Sequence, residues 1–405
     1  MKTRFKLSLI IASIINAGIM LLVVLFMLNQ SVMMQDEKVL IRKTSSFKDK
    51  ITKTDTASLS KFVFINVSKN KQLIPEIDPD FGDTIGNTVV TDRRKLTRLF
   101  HKINKHTDDF KSVVCDILFE DKSHFDQSLK YEMKQQPKLI LPYITNDNSQ
   151  EESTVFDFKK GLAEYVATND VFVKFKLIYD DTVKTIPLVM YEQIHDTQIK
   201  HNNWFYELDG KKIFHNFIIN IRIKTSDIMN NNTAYYQMSR FIELPDSLMK
   251  SLLKDKIIMI SDFEDPKNDY HETVAGEMPG ALILANTYLA LEKGDNLVPM
   301  MLMPLLFISF FLISMLVFYP INIFEMWVEK ITQKIPNIAA AKYLVGFVSY
   351  VSLLSVISVI CFVLFNKHIN VLYLTMYIYA LEKIINFIQR RRAKKREEKR
   401  KEVKA

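Results

Sequence analysis

Six side chains that can carry charge or move protons fall within a short stretch: Asp262, Glu264, Asp265, Asp269, His271 and Glu272. A second acidic set, Asp116, Glu120 and Asp121, occupies and follows the end of an apolar run. Carboxylates gathered in this way can hold a hard cation such as Ca²⁺. They can also receive a small cationic ligand. A solvated acidic loop that shapes its own turn has the same composition, so both readings stay open. The spacing matches neither an EF-hand loop nor a His-x-x-x-His pair, and no metal or other cofactor is expected. His271 has the chemistry of a general base, because neighbouring carboxylates favour its charged form. No Ser or Cys nucleophile motif accompanies it, and no glycine-rich phosphate loop is present, so the chain is expected not to be an enzyme. Arg93, beside Asp92, would either bind an anion or pair with a nearby carboxylate. With two cysteines in 405 residues, a disulfide framework is excluded. Cys115 reads as a small buried hydrophobe.

These groups need elements to position them. Phe62 to Val67 reads as a buried strand, mostly β-branched or aromatic. Val113 to Phe119, Lys138 to Leu141 and Lys256 to Ile260 read the same way, and Asp116 and Asp262 fall near the ends of two of them. Thr91 is placed to cap a helix whose apolar face is Leu96, Leu99, Phe100 and Ile103. Helices are also predicted over Phe125 to Lys134, Ile186 to Ile194 after Pro187, and Gly280 to Leu291. Ile74 to Asn87, with two prolines and two glycines, is predicted as a loop. Val171 to Ile178 alternates with lysines as an edge strand would, and Phe217 to Ile223 reads as a further strand. Strand–helix alternation predicts an α/β fold with a mostly parallel, helix-covered sheet. In such a sheet, ligands sit beyond the carboxyl ends of the strands. Asp116, Glu120, Asp121, Asp262, Asp265, Asp269 and His271, with Arg93, are therefore the candidate ligand-binding residues.

The apolar residues are unevenly distributed. Leu7 to Leu28, Leu297 to Tyr319 and Tyr343 to Phe365 carry no charge, and Ile369 to Ile388 carries only Glu382 and Lys383 near its end. Each is long enough to cross roughly 30 Å of hydrocarbon, so four transmembrane α-helices are predicted. Basic residues sit before the first span, in the 320–342 loop and after Gln389. By the positive-inside rule both termini and that loop lie in the cytoplasm. The expected organisation is therefore 1–28 cytoplasmic N-terminus and anchor, 29–296 extracytoplasmic domain, spans at 297–319, 343–365 and 369–388 with the 320–342 loop between the first two, and a basic tail at 389–405. The external region is near neutral, so the sequence pI of about 9.1 comes from the cytoplasmic ends. Arg390, Arg391, Arg392, Lys394, Lys395 and Arg396 adjoin the last span. They suit anionic lipid headgroups; no aromatic residue interleaves them and no nucleic acid is expected. Gly346, Ser349, Ser352, Ser355 and Ser358 recur every three residues, which suits close packing inside this bundle or against another subunit in an oligomer.

Four stretches resemble the second-type CHASE domain, an extracytoplasmic sensory domain of bacterial membrane proteins. They are the first strand with the Asp92-Arg93 helix; Cys115 to Glu120 with Asp126; Thr185-Ile186-Pro187-Leu188; and Asp255 to Ile260 running into Asp269-Tyr270-His271-Glu272-Thr273 and Met278-Pro279-Gly280 to Asn286. The resemblance implies one anchor before the domain and three spans after it, in a bacterial inner membrane with the domain in the periplasm. Where the family often carries an acidic pair after the first strand, this chain has Asn66 and Ser68. Family members usually pass their signal to a fused output enzyme. Here the chain ends about 17 residues after the last predicted span, which implies a separate cytoplasmic or envelope partner. The expected function is thus a sensor or receptor subunit that binds a ligand or an envelope protein. The alternative is a non-catalytic structural subunit of an envelope complex, with the sensor fold reused for docking.

Overall fold

The computed structural model describes residues 2–30, 35–51, 56–77, 81–145, 155–163, 171–202, 205–229, 233–264, 269–318 and 339–402. The chain divides into two compact units, Asp49–Leu297 and Met1–Lys48 with Val298–Ala405.

The first unit is built on a six-stranded sheet in the order Tyr235–Gln237, Phe62–Asn66, Ile257–Ser261, Ser112–Asp116, Leu139–Tyr143, Lys160–Leu162. Every pairing in it is parallel. Phe62–Asn66 and Ile257–Ser261 are buried along their whole length, as strands covered on both faces must be. Side chains alternate between the two faces. Val63, Ile65, Val113, Cys115, Ile258 and Ile260 share one core with Leu96, Leu99 and Phe100 of helix Arg93–Asn104, Leu129 and Met133 of helix Asp126–Lys134, and Met249 and Leu253 of helix Asp246–Leu253. On the opposite face Phe62 meets Tyr288 of helix Gly280–Glu292 edge-on at 6.2 Å. Helix Ile186–His195 lies alongside, with Tyr191 and Tyr288 ring centroids 6.4 Å apart. A close approach explains one glycine: a Cβ on Gly161 would lie 2.7 Å from the Ile186 Cα.

Several local expectations are corrected. Ile74 to Asn87 is not a loop but most of an antiparallel hairpin, Lys71–Ile77 against Thr84–Thr91. A two-stranded ribbon has two free edges, so Pro75 is tolerated where a central strand would reject it. Asp92, not Thr91, caps the following helix; its carboxylate accepts from the Arg94 and Lys95 amides. Val171 to Ile178 is broken into Val171–Phe172, Lys174–Lys176 and Ile178–Tyr179, each with a different partner strand. The strand predicted over Phe217 to Ile223 spans only Asn216–Ile218, and the one over Val113 to Phe119 stops at Asp116.

The second unit is helical. Among the described residues, three helices are long and apolar enough to cross a membrane: Leu7–Leu28, Gly346–Phe365 and Val371–Gln389. The predicted span from Leu297 to Tyr319 is a shorter apolar helix, Leu302–Phe318, of 17 residues. It begins late because the Pro299–Leu302 turn precedes it. The 320–338 part of the predicted loop lies outside the described residues. Asn16 ties three of these helices together, donating to Ser314 Oγ at 2.8 Å and accepting from Tyr377 Oη at 2.6 Å. Of the small-residue stripe, Ser358 is buried against His368 while Ser352 is exposed, the rotation a three-residue period makes on a 3.6-residue helix.

Candidate functional site

The carboxyl ends of the three central strands bring Asn66, Ser261 and Asp116 into register. Beyond them the chain continues into Asp262, Phe263 and Glu264, and returns at Asp269 into the hairpin of Tyr270–Thr273 with Gly276–Pro279. The Asp269 carbonyl accepts from the Gly280 amide at 2.8 Å, which fixes the return against the start of the Gly280–Glu292 helix.

Asp116 and Asp269 form the electrostatic centre of this edge. Burial pushes the Asp116 carboxyl up to about 8, and the negative charge of Asp269 adds to the rise. Burial also raises Asp269 above the ordinary carboxylate range; His271, with Nε2 3.8 Å from its Oδ1, opposes this, and Asp262 reinforces it. The Ser261 hydroxyl donates to Asp116 Oδ2 at 3.5 Å, a weak contact. Burial disfavours the charged form of both carboxyls, and the charge of Asp269 adds to the rise at Asp116. Asp262 is held by Lys71 Nζ at 2.6 Å.

Next to this pair is a polar network absent from the candidate set. Asn66 is fully buried. Its amide donates to Tyr235 Oη at 2.8 Å and to Glu264 Oε1 at 2.9 Å, while its Oδ1 accepts from the Ser68 and Phe263 amides, each at 3.1 Å. Glu264 Oε1 also accepts from Gln237 at 2.9 Å and Tyr235 at 3.2 Å. Asn66 thus orients the loop that carries Asp262. The trace in the sequence was a polar residue ending a wholly apolar strand.

The remaining candidates lie elsewhere. Arg93 is buried, its Nε 3.3 Å from Asp126 Oδ1 and its guanidinium 4.5 Å from the centre of the Phe119 ring. Burial lowers its pKa, and Asp126 opposes that shift. Of the two roles expected for Arg93, the structure therefore shows the carboxylate pair. Asp121 contributes its backbone carbonyl to Arg93 at 3.4 Å, and both Glu120 and Asp121 are exposed. Asp265 lies outside the described residues. Cys115 is buried and its thiol is pushed up by burial. Among the described residues no group of three or more His, Cys, Asp or Glu is placed to hold a metal ion. The basic run lies on the last helix, which continues unbroken from Val371 to Glu402. Lys394 and Lys395 are exposed there, and Arg391 stacks over Phe387 at 4.6 Å.

No curated protein and no solved structure matches the chain. A family model does: the CHASE2 domain, an extracellular sensory domain family, aligns with residues 20–319. That match covers more than half of the chain and takes in the parallel sheet, its acidic edge, the end of the Leu7–Leu28 helix and the Leu302–Phe318 helix, so this is a membrane protein of the CHASE2 family.

Proposed function

We propose that this protein is a sensor subunit of a bacterial inner membrane, with the CHASE2 domain in the periplasm and the basic helix in the cytoplasm. The Asp116–Asp269 pair at the carboxyl edge of the parallel sheet carries this reading. Its stimulus is a positively charged group, from a small ligand or from an envelope protein. Binding stabilises both carboxylates in their charged form and reorders the loop that Asn66 holds. The change passes to the apolar helices, of which Leu302–Phe318 acts as a fourth span across a locally thinned bilayer. The Val371–Glu402 helix extends 13 residues beyond Gln389, about 20 Å at 1.5 Å per residue, and presents its lysines and arginines to anionic lipid and to a separate partner protein. The role is non-catalytic.

The test is a titration of the full chain with spermidine and with a short oligolysine peptide, followed by tyrosine fluorescence at pH 6 and pH 8.5. Binding that strengthens with pH and disappears in Asp116→Asn supports the reading. Binding indifferent to both contradicts it.

One observation favours docking of a protein rather than a small ligand. The hairpin exposes Leu73, Ile85 and Val89 on its strands and Phe81 at its turn, with Phe81 81% and Leu73 66% accessible. Apolar surface gathered in this way marks interaction sites. In the structural-subunit reading, this hairpin, not the acidic edge, would hold the complex together.

A further inference from the structure

One end of the helical unit is closed by a buried histidine. Asn370 donates to Met27 Sδ at 3.7 Å, so the turn of residues 366–370 lies at the end of the unit where the first span finishes. That turn joins the Ala339–Phe365 and Val371–Glu402 helices. Helix Gln35–Ile51, which follows the first span and leads into the α/β domain, meets the turn through Thr44. Its buried residues Glu37, Ile41 and Thr44 are spaced by four and then three positions and so share one face. His368 reaches this face from the turn. It is 1% accessible, and the Phe362 ring centre lies 4.7 Å from that of the imidazole.

The partners of the ring fix its protonation. Nε2 is 3.1 Å from Thr44 Oγ1, and Nδ1 is 2.7 Å from Ser358 Oγ. The Thr44 hydroxyl gives its one hydrogen to the Leu40 carbonyl, 2.5 Å away in the preceding turn of its helix. It therefore accepts from the ring, and Nε2 carries the hydrogen. A neutral imidazole accepts at its other nitrogen. Ser358 donates there while its oxygen accepts the Ile369 amide at 3.1 Å. The neutral ring thus ties the helix that leads into the domain to the Ala339–Phe365 span. A second ring proton disturbs this set. Nδ1 becomes a donor, and the Ser358 hydroxyl has to turn its hydrogen to the Ile369 carbonyl at 3.3 Å, a longer contact than the 2.7 Å it gives up. The new charge is also cut off from water, which costs free energy. Among the described side chains, the charged groups of the packed elements are Glu37, buried on the same helix face, and Lys367, buried next to His368 in the turn. Lys38 is half-buried and Arg42 and Lys43 are exposed, while the Cys361 thiol is buried on the adjoining span. Glu382 is eleven residues along the helix from Val371, about 16 Å at 1.5 Å per residue. One buried carboxylate already stands against one buried ammonium, so an imidazolium adds a positive charge in excess.

We propose that His368, held between Thr44 and Ser358, is a proton-operated latch. Neutral, it holds the Gln35–Ile51 helix against the turn between the last two spans. Protonated, it parts from that helix and its charge gains water. Because only the parted ring is hydrated, the latch holds at higher pH and opens as pH falls through the imidazole range. Acidity on the domain's side of the membrane is then a second input, which reaches the spans without passing through the Asp116–Asp269 edge. Protonation of buried histidines at an interface is a known kind of two-state bias.

The experiment uses the full chain in nanodiscs, with nitroxide labels on Val39→Cys and Tyr373→Cys, two exposed positions on the helices that the latch joins. Both native cysteines are buried and stay unlabelled. Pulsed electron paramagnetic resonance reads the label distance at about pH 8 and about pH 5, either side of the imidazole range. The expected result is a short distance at the higher pH that shifts to a longer one at the lower. His368→Gln, whose amide donates to Thr44 and accepts from Ser358 without titrating, keeps the short distance at both. Thr44→Val keeps the shape but removes the acceptor, and shows the longer distance already at the higher pH. Circular dichroism checks that each variant is folded. The proposal is overturned if the wild-type distance is the same at both pH values, if His368→Gln follows pH as the wild type does, or if Thr44→Val matches the wild type at the higher pH. None of these outcomes bears on cation binding at Asp116 and Asp269, so the two readings fail separately.

Discussion

Replacing Asp116 by Asn is predicted to stabilise the protein, and to do so only on one side of a pH window. In the folded state burial and Asp269 raise the Asp116 carboxyl from 3.8 to about 8. Between these values the unfolded chain has released this proton and the native state still holds it. The native state then binds more protons, so stability falls as pH rises through the window. Below the unfolded value the contribution is complete; above the folded value it is lost. One pKa unit corresponds to about 1.4 kcal/mol, so the rise from 3.8 to about 8 sets a ceiling of roughly 6 kcal/mol. Asp269 shares the same unfavourable environment, so a penalty of about 2–3 kcal/mol attributable to Asp116 is the working figure. Asn keeps the shape and the contact with Ser261 but carries no charge. For a unit of this size, each kcal/mol moves Tm by about 2–4 °C, so Asp116→Asn should melt on the order of 5–10 °C higher near pH 8 and at the wild-type temperature near pH 4. Thermal scans of the purified chain across that range, followed by circular dichroism, make the comparison. A constant offset at all pH values, or a less stable variant near pH 8, would refute the reasoning. A gain in stability on removing a charged group is also the mark of a site kept for binding at the expense of the fold.

Three further outcomes follow from the packing. Arg93→Met should lower stability by about 3–5 kcal/mol, because Asp126 would remain buried without its cation; the double variant with Asp126→Asn should recover part of the loss, read from urea midpoints. Gly161→Ala should cost about 1–3 kcal/mol, since the new methyl meets backbone rather than a movable side chain, read from urea midpoints. Asn16→Leu should loosen the helical unit by about 0.6–1.7 kcal/mol, seen as lower thermal stability in detergent, because Ser314 and Tyr377 lose their shared partner.

The parts of the fold legible in sequence were those where one residue pattern decides. Phe62–Ile65 and Ile257–Ile260 are uninterrupted apolar runs that only a doubly covered parallel strand accommodates, and the charge-free run from Leu7 to Leu28 has one reading. The hairpin of Lys71–Ile77 with Thr84–Thr91 was hidden because its two prolines and two glycines mimic a loop, and its pairing partner is what makes it a strand. The breaks within Val171–Tyr179 were hidden for a related reason: three short segments pair with three partners from elsewhere in the chain. At the site, the position of Asp116 and Asp269 beyond the strand ends could be read from topology. The hub at Asn66 could not, because Tyr235, Gln237 and Glu264 join it from segments far apart in sequence.

The central claim is that a periplasmic event at the CHASE2 domain is delivered through the helices to a cytoplasmic partner. The most direct measurement is a crosslinking pulldown of the intact protein from native membranes, beside a variant lacking residues 390–405. Recovery of a cytoplasmic regulator that disappears with the basic helix is the predicted result. Recovery of envelope assembly proteins in fixed ratio, unchanged by the deletion, would contradict it and identify the chain as a structural subunit.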